Sequence, residues 1–251
     1  MATVITTEHG FYNVLTLNRP EKRNALNDEL VADLKVALTE ADQNEELRAI
    51  VIRGTGKDFC SGADLEALQK IATASYEENL TDAESLADLF LQIRKVRIPV
   101  IAAVHGRALA GGCGLATACD LVIATETAVF GYPEVKIGFV PAIVTAFLRR
   151  NVSEKRAFEL LTQGREFSAQ RALEFGLVNR ISTDADFEEE IFEFISIYEN
   201  VSRSAVIMSK ELLYRMDGVS FDDAIRAGAE ANAKARMTDD CKDGISKFLR
   251  K

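Results

Sequence analysis

Histidine is scarce in this chain. Only His9 and His105 occur, which excludes a histidine-rich metal site. Cysteine is little more frequent: Cys60, Cys113, Cys119 and Cys241 form no CxxC pair, and a chain of 251 residues does not need disulfide staples. Reduced thiols in a cytosol-like compartment are expected. No uninterrupted apolar run is long enough to span a bilayer. The opening MATVITTEHG lacks a basic region followed by an apolar one, so no secretory signal is expected and a cytoplasmic location is. Basic charge is in deficit, with a formal net charge of −9. That balance argues against nucleic acid or an anionic membrane as partner, and a polyanionic substrate would need its own cluster of Lys and Arg. Low-complexity tracts and long linkers are absent too. What is present is a globular composition, 47% apolar, sufficient for one large domain or one domain with an appendage.

Residues 11–17, 48–53, 99–104 and 121–124 read as strands, rich in β-branched and aromatic residues. Between the first two, Asn27 is a candidate cap for a helix carrying Leu30, Val31, Leu34 and Leu38 at helical spacing. A second helix is expected over 82–97, with Leu86, Leu89, Phe90 and Ile93 on one face. The alternation predicts an α/β architecture. Further on, Ser153 and Ser168 cap helices that end before Gly164 and Gly176, and a short strand is expected over 177–181. From Asp186 onward the pattern is helical throughout.

Three segments carry chemistry. HGRALAGGCGLATACD, residues 105–120, places glycines between a buried strand and a helix. Glycine lets the backbone approach a ligand closely, and the first amides of a helix are unpaired at the positive end of its dipole. Such a place stabilises negative charge, including charge that exists only in a transition state. KDFCSGADL, residues 57–65, is a second such junction, with a helix starting near Ala63. In FGYPEVKIGFVP, residues 130–141, Glu134 is a candidate proton-transfer group, because a glutamate in a dry pocket has a raised pKa.

These residues resemble the enoyl-CoA hydratase/isomerase family, the crotonases, and the resemblance runs nearly end to end. NRPEKRNAL (18–26), FCSGADL, the glycine stretch with Ala118-Cys119-Asp120, PEVKIGFVP and Gly176-Leu177-Val178 occur in the family's order. The resemblance implies a crotonase-like spiral of repeated ββα units over 1–189. It also implies a helical C-terminal region, 190–251, that builds trimers and covers coenzyme A. It implies an acyl-CoA thioester substrate, no metal or redox cofactor (coenzyme A is part of the substrate), and a homotrimer or dimer of trimers. The amides of Ala63 and Gly111 would be the oxyanion donors and Glu134 the catalytic carboxylate. Arg23, Ala25, Leu26, Asp64 and Leu65 would line the coenzyme A path, and Phe248 and Lys251 would reach it from the C-terminal segment.

One departure matters. Many hydratases of the family carry a glutamate directly after the Gly-Gly-Cys-like run, where this chain has Gly114. A 1,3-shift of a double bond needs one proton-transfer group, whereas hydration is easiest with two. The expectation is therefore an enzyme using one glutamate, for a 1,3-shift or for hydration or dehydration. Glu66, Glu77, Asp82 or Glu84 is an alternative source of a second acid. A non-catalytic acyl-CoA-binding or scaffolding protein is the competing reading. A peptidase using Cys113 or Ser61 with His105 lacks a G-x-S-x-G elbow and triad partners. Asp120 and His105 read as structural. Arg19, Lys22 and Arg23 read equally as a solvated basic face or as a phosphate contact, and the polar stretch 69–82 as a loop bordering the acyl pocket.

Overall fold

The computed structural model describes residues 2–250, apart from the Leu65 side chain. Two strands, β1 (Val4–Glu8) and β2 (Tyr12–Leu17), precede a 3-10 turn (Pro20–Lys22) and α1 (Asp28–Gln43). Then come β3 (Ala49–Gly54), α2 (Leu65–Thr73), α3 (Tyr76–Lys95), β4 (Val100–Val104), β5 (Arg107–Leu109) and α4 (Gly111–Ala118). β6 (Leu121–Thr125) and β7 (Val129–Gly131) lead through a second 3-10 turn (Pro133–Ile137) to α5 (Ala142–Asn151), α6 (Glu154–Gln163) and β8 (Glu166–Ser168). The chain ends with α7 (Ala169–Phe175), β9 (Arg180–Ser182), α8 (Phe187–Asn200), α9 (Arg203–Arg215), α10 (Phe221–Ala235) and α11 (Asp239–Leu249).

The strands form a six-stranded sheet in the order β1-β2-β3-β4-β6-β9 and a three-stranded sheet in the order β5-β7-β8. Among the described residues only β1–β2 and β7–β8 pair antiparallel. The spiral is visible in the pairing. β4 joins the large sheet, β5 the small one, and α4 follows; β6, β7 and α5 repeat this. Earlier turns use single bridges in place of the second strand: Cys60 pairs with Ala108, and Leu26 with Ala63.

The central parallel strands are buried on both faces, as such strands are when helices cover both sides. Ile50, Ile52, Val100 and Ala102 face the larger core with Leu30, Leu34 and Leu38 of α1 and Leu89, Phe90 and Ile93 of α3. Ala49, Val51, Ile101, Ala103 and Ile123 face Phe187, Ile191 and Ile195 of α8. The position 189/190 thus lies inside a helix that packs on the sheet. Arg53 of β3 fastens α8 further through two bonds to Glu188, at 2.8 and 2.6 Å.

Two expectations need correction. Residues 69–82 are not a loop: α2 covers the first part, and α3 starts at Tyr76, not near residue 82. The cause is a capping box, in which Ser75 Oγ accepts from the Glu78 amide (3.2 Å) while Glu78 Oε2 accepts from the Ser75 amide (2.8 Å). The short strand begins at Arg180, not at Leu177. The amides of Leu177 and Val178 are turned back onto the Ala172 carbonyl, at 2.9 and 3.2 Å, closing α7. Among the described residues no helix is long and apolar enough to cross a membrane.

Candidate active site

Three stretches distant in sequence are zipped together by main-chain bonds. Phe59 and Cys60 donate to the carbonyls of His105 and Arg107, and Leu109 donates back to Cys60, each at 3.0 Å. On the other side of the same segment, Ser61 donates to Arg23 (3.1 Å), Leu26 to Gly62 (2.7 Å) and Asp64 to Leu26 (3.0 Å). Residues 23–26, 59–64 and 105–111 therefore run side by side. A methyl group on Gly62 would lie 2.8 Å from Ala110 Cβ and 3.5 Å from the Gly111 nitrogen. One on Gly112 would lie 2.2 Å from the Cys60 carbonyl oxygen, so no other residue fits there without moving main chain.

At this junction the backbone is strained. Ala110 adopts φ 48°, ψ −125°, a region that side chains rarely enter, at a cost of about 1–3 kcal/mol. Its amide is held by the Gly131 carbonyl (2.8 Å) and its carbonyl by the Gly114 amide (2.9 Å). Between these fixed points α4 starts at Gly111. Among the described residues neither the Gly111 nor the Ala63 amide has an acceptor. Unpaired amides of this kind at a helix start, or just before one, are available to a ligand oxygen.

Glu134 sits on the 3-10 turn that follows β7, directly after Pro133. Its Oε2 is buried and has no hydrogen-bond partner among the described residues. Burial raises its pKa above the usual carboxylate range, opposed only by a bond from its own amide. The titratable groups that sense its charge are Cys113 of α4 and Tyr132. With one oxygen unpaired and its pKa raised by burial, this carboxylate is a candidate for exchanging a proton.

The place where the family's first glutamate would stand is walled by hydrophobic side chains. A Cβ on Gly114 would meet the Phe90 ring at 3.1 and 3.2 Å and Val144 Cβ at 3.6 Å. Phe90 is itself 1% exposed and packs edge-on against Phe147. Of the alternative acids, Glu66, Glu77 and Glu84 are exposed, and Asp82 is half-buried, its pKa raised by burial and by Asp28. Cys113 is buried with its thiol pKa pushed up to about 12, and His105 Nε2 is bonded to the Gly56 carbonyl at 3.0 Å. Cys113 lacks the exposure that a nucleophile requires, and the His105 Nε2 is already engaged by main chain.

The main-chain ladder brings Arg23, Ala25, Leu26, Ala63, Asp64 and Gly111 into one group, while Glu134 enters through the Gly131–Ala110 bond. Within that group Asp64 is committed to the protein. Oδ1 caps α2 through the Glu66 amide (2.9 Å), and Oδ2 pairs with Arg19 at 2.7 Å. Burial pushes the Asp64 pKa up, but those two bonds, with the charges of Arg19 and Lys22, outweigh it and the net shift is down. Arg19 is therefore turned inward, Lys22 is paired with Glu66 at 3.1 Å, and the Arg23 side chain remains exposed. Phe248 is exposed on α11, which packs against α9. The Leu65 side chain and Lys251 lie outside the described residues.

Sequence reading missed several residues that build the site. Asn24, fully buried, donates to the carbonyls of Thr55 (2.9 Å) and Asp58 (2.8 Å) and accepts from the Arg19 amide (2.9 Å). Asp58 Oδ1 accepts from the Arg107 amide at 3.0 Å, fastening the second segment to the third. Phe90 reads in the sequence only as a residue of the apolar face of its helix and Tyr132 has no role there, because the contacts of Phe90 with Gly114 and of Tyr132 with Thr117 join separate elements. Asp120 behaves as a structural acid, accepting from the Val100 amide (2.7 Å), Lys210 Nζ (2.6 Å) and the Tyr214 hydroxyl.

A sequence profile described as Enoyl-CoA hydratase/isomerase matches residues 9–251. A Thermus thermophilus protein named as an enoyl-CoA hydratase is 41% identical over 248 residues, covering 99% of this chain and 98% of that protein. The short-chain-enoyl-CoA hydratase of Clostridium acetobutylicum is 32% identical over 250 residues, covering 99% and 95%. The crystal structure of a Mycobacterium smegmatis enoyl-CoA hydratase superposes with a TM-score of 0.94 at 34% identity, covering 99% of this chain and 96% of that one. With its ββα spiral and helical C-terminal region, the chain belongs to the enoyl-CoA hydratase/isomerase family of enzymes, the crotonases.

Proposed function

We propose that this enzyme processes acyl-CoA thioesters by stabilising an enolate, with one carboxylate moving the proton. The thioester carbonyl oxygen accepts hydrogen bonds from the amides of Ala63 and Gly111. As negative charge develops on that oxygen, each donor contributes about 3–4 kcal/mol to the transition state. Glu134 removes a proton and returns it to another carbon, giving a 1,3-shift, or serves both water and carbon in hydration or dehydration. Arg23, Ala25 and Leu26 border the coenzyme A path, with Phe248 and Lys251 contributed from the C-terminal segment. Asp64 acts there by shaping the loop. The chemistry needs no metal or redox cofactor, since coenzyme A arrives with the substrate. Exposed apolar residues on α10 and α11, including Phe221, Ile225 and Phe248, support assembly of a homotrimer or a dimer of trimers.

The observation that carries this reading is the Glu134 Oε2 atom, buried and unpaired, on the turn tied by the Gly131–Ala110 bond to the helix whose first amide is free. The test compares 2-enoyl-CoA in water with 3-enoyl-CoA. Turnover of at least one is expected, with a fall of about a thousandfold in kcat for Glu134→Gln. Undiminished turnover by that variant overturns the mechanism. The Phe90 wall beside Gly114 supports a second reading, an acyl-CoA-binding protein without chemistry. Tight binding of both thioesters with product from neither would favour it, or a branched, carboxylated or otherwise unusual acyl group as substrate.

A further inference from the structure

Resting on the reading of Glu134 as the proton-moving group, we infer that Tyr132 is a positioning residue. Its buried hydroxyl, bonded to Thr117, sets where the Glu134 carboxylate stands against the helix that begins at Gly111.

Tyr132 has no exposed surface, and its hydroxyl lies 2.7 Å from Thr117 Oγ1. Thr117 Oγ1 also donates to the Cys113 carbonyl at 2.7 Å, and with its single proton there it accepts from Tyr132. The Tyr132 hydroxyl has a further neighbour on the same helix in the Cys113 thiol. Thr117 lies on the same eight-residue helix as Gly111, about 9 Å further along its axis. The other end of that helix is tied to the same strand, because the Ala110 amide donates to the Gly131 carbonyl at 2.8 Å. Residues 131 and 132 thus grip α4 near both ends, and Pro133, with its fixed φ, passes that placement directly to Glu134.

Beyond Glu134 the turn has less to hold it. Residues 135–140 are exposed, and the closing bond runs from the Phe139 amide to the Glu134 carbonyl at 3.0 Å. α6 touches the turn from outside, where Gly164 packs against Val135. The Gly131–Ala110 bond belongs to the backbone, whereas the Tyr132–Thr117 bond is made by side chains and can be removed. A misplacement of about 1 Å at a reacting group costs about a hundredfold in rate.

The experiment measures kcat, KM, the pH profile of kcat and the thermal midpoint for wild type, Tyr132→Phe, Thr117→Ala, the double variant and Glu134→Gln, on the thioester that wild type turns over. Tyr132→Phe removes one oxygen and leaves the Thr117 proton on Cys113. Its kcat is expected to fall about 10- to 100-fold, with KM within about threefold of wild type. The acidic limb of its kcat profile moves to lower pH, because a loosened carboxylate gains water. Thr117→Ala shows the same fall and the same limb, and the double variant falls no further than either single one. A wild-type kcat and an unmoved limb for both single variants overturn the inference, as do losses that multiply in the double variant or follow the folded fraction alone. An active Glu134→Gln overturns the underlying reading and this inference together. An inactive Glu134→Gln beside unaffected Tyr132 and Thr117 variants overturns only the positioning role.

Discussion

A carboxylate oxygen buried with no donor is a cost to the fold, and at Glu134 the sign of that cost is testable. The folded-state pKa is raised, chiefly by burial. The folded protein therefore holds the proton more tightly than the unfolded chain does. Stability is lost as pH rises from the unfolded glutamate range, about 4.3, through the folded value, and it stays lost above. Glu134→Gln should accordingly have a higher thermal midpoint than wild type at pH 7–8, and the gap should close below about pH 4, where both side chains are neutral. A higher wild-type midpoint at neutral pH would mean that the carboxylate has a stabilising partner. The candidate role of Glu134 was legible in the sequence, since Pro-Glu stands between a strand and an apolar run. The Tyr132–Thr117 bond was not, because the two residues are separated by β6 and β7 and meet only once those strands are laid into separate sheets.

At the scale of elements, the glycine junction depends on close approach. Gly112→Ala would drive a methyl to 2.2 Å from the Cys60 carbonyl oxygen, which is main chain and already accepts from the Leu109 amide. A loss of about 3 kcal/mol or more in denaturant unfolding is expected, or failure to fold, together with loss of turnover. Asp64→Ala removes a cap and leaves Arg19, 14% exposed, without a counter-charge and with its bond to the Ala25 carbonyl. Its expected cost is about 3 kcal/mol, measured the same way. A change under about 0.5 kcal/mol would show that the Arg19–Asp64 pair is free to rearrange. Long elements such as α1, with its Asn27 cap, were legible from periodicity. β5, β7 and β8 were not: each has three residues, too few for alternation to register. The start of α3 was written in the sequence as Ser75-x-x-Glu78 and went unread beside the polar residues around it.

For the whole molecule, the helical C-terminal region has to be joined to the α/β core, and a buried cluster does this. Lys210 of α9, 8% exposed, donates to the Ile93 and Ile98 carbonyls at 3.2 and 3.0 Å and pairs with Asp120. Tyr214 donates to the same carboxylate, with Arg94 stacked 3.8 Å over its ring. Lys210→Ala is expected to cost about 3 kcal/mol and to raise amide exchange across residues 203–215 before the core opens. Exchange that rises uniformly would mean that α9 and the core unfold as one unit. Sedimentation of wild type should give a trimer or hexamer that covers the exposed apolar residues of α10 and α11. A monomer would leave that surface without a partner.

The sequence by itself determined the alternation of strand and helix, the glycine-bearing helix start, the acid after Pro133 and the family, because each is carried by neighbouring residues or by their order along the chain. Tertiary structure alone decided that residues 23–26, 59–64 and 105–111 form one ladder, that Asp64 is consumed by Arg19, that Phe90 walls Gly114, and that Tyr132 reaches Thr117. Those contacts join residues across two sheets. No local pattern encodes them, since they arise only when the spiral closes and buried polar groups must find partners in what has been brought near.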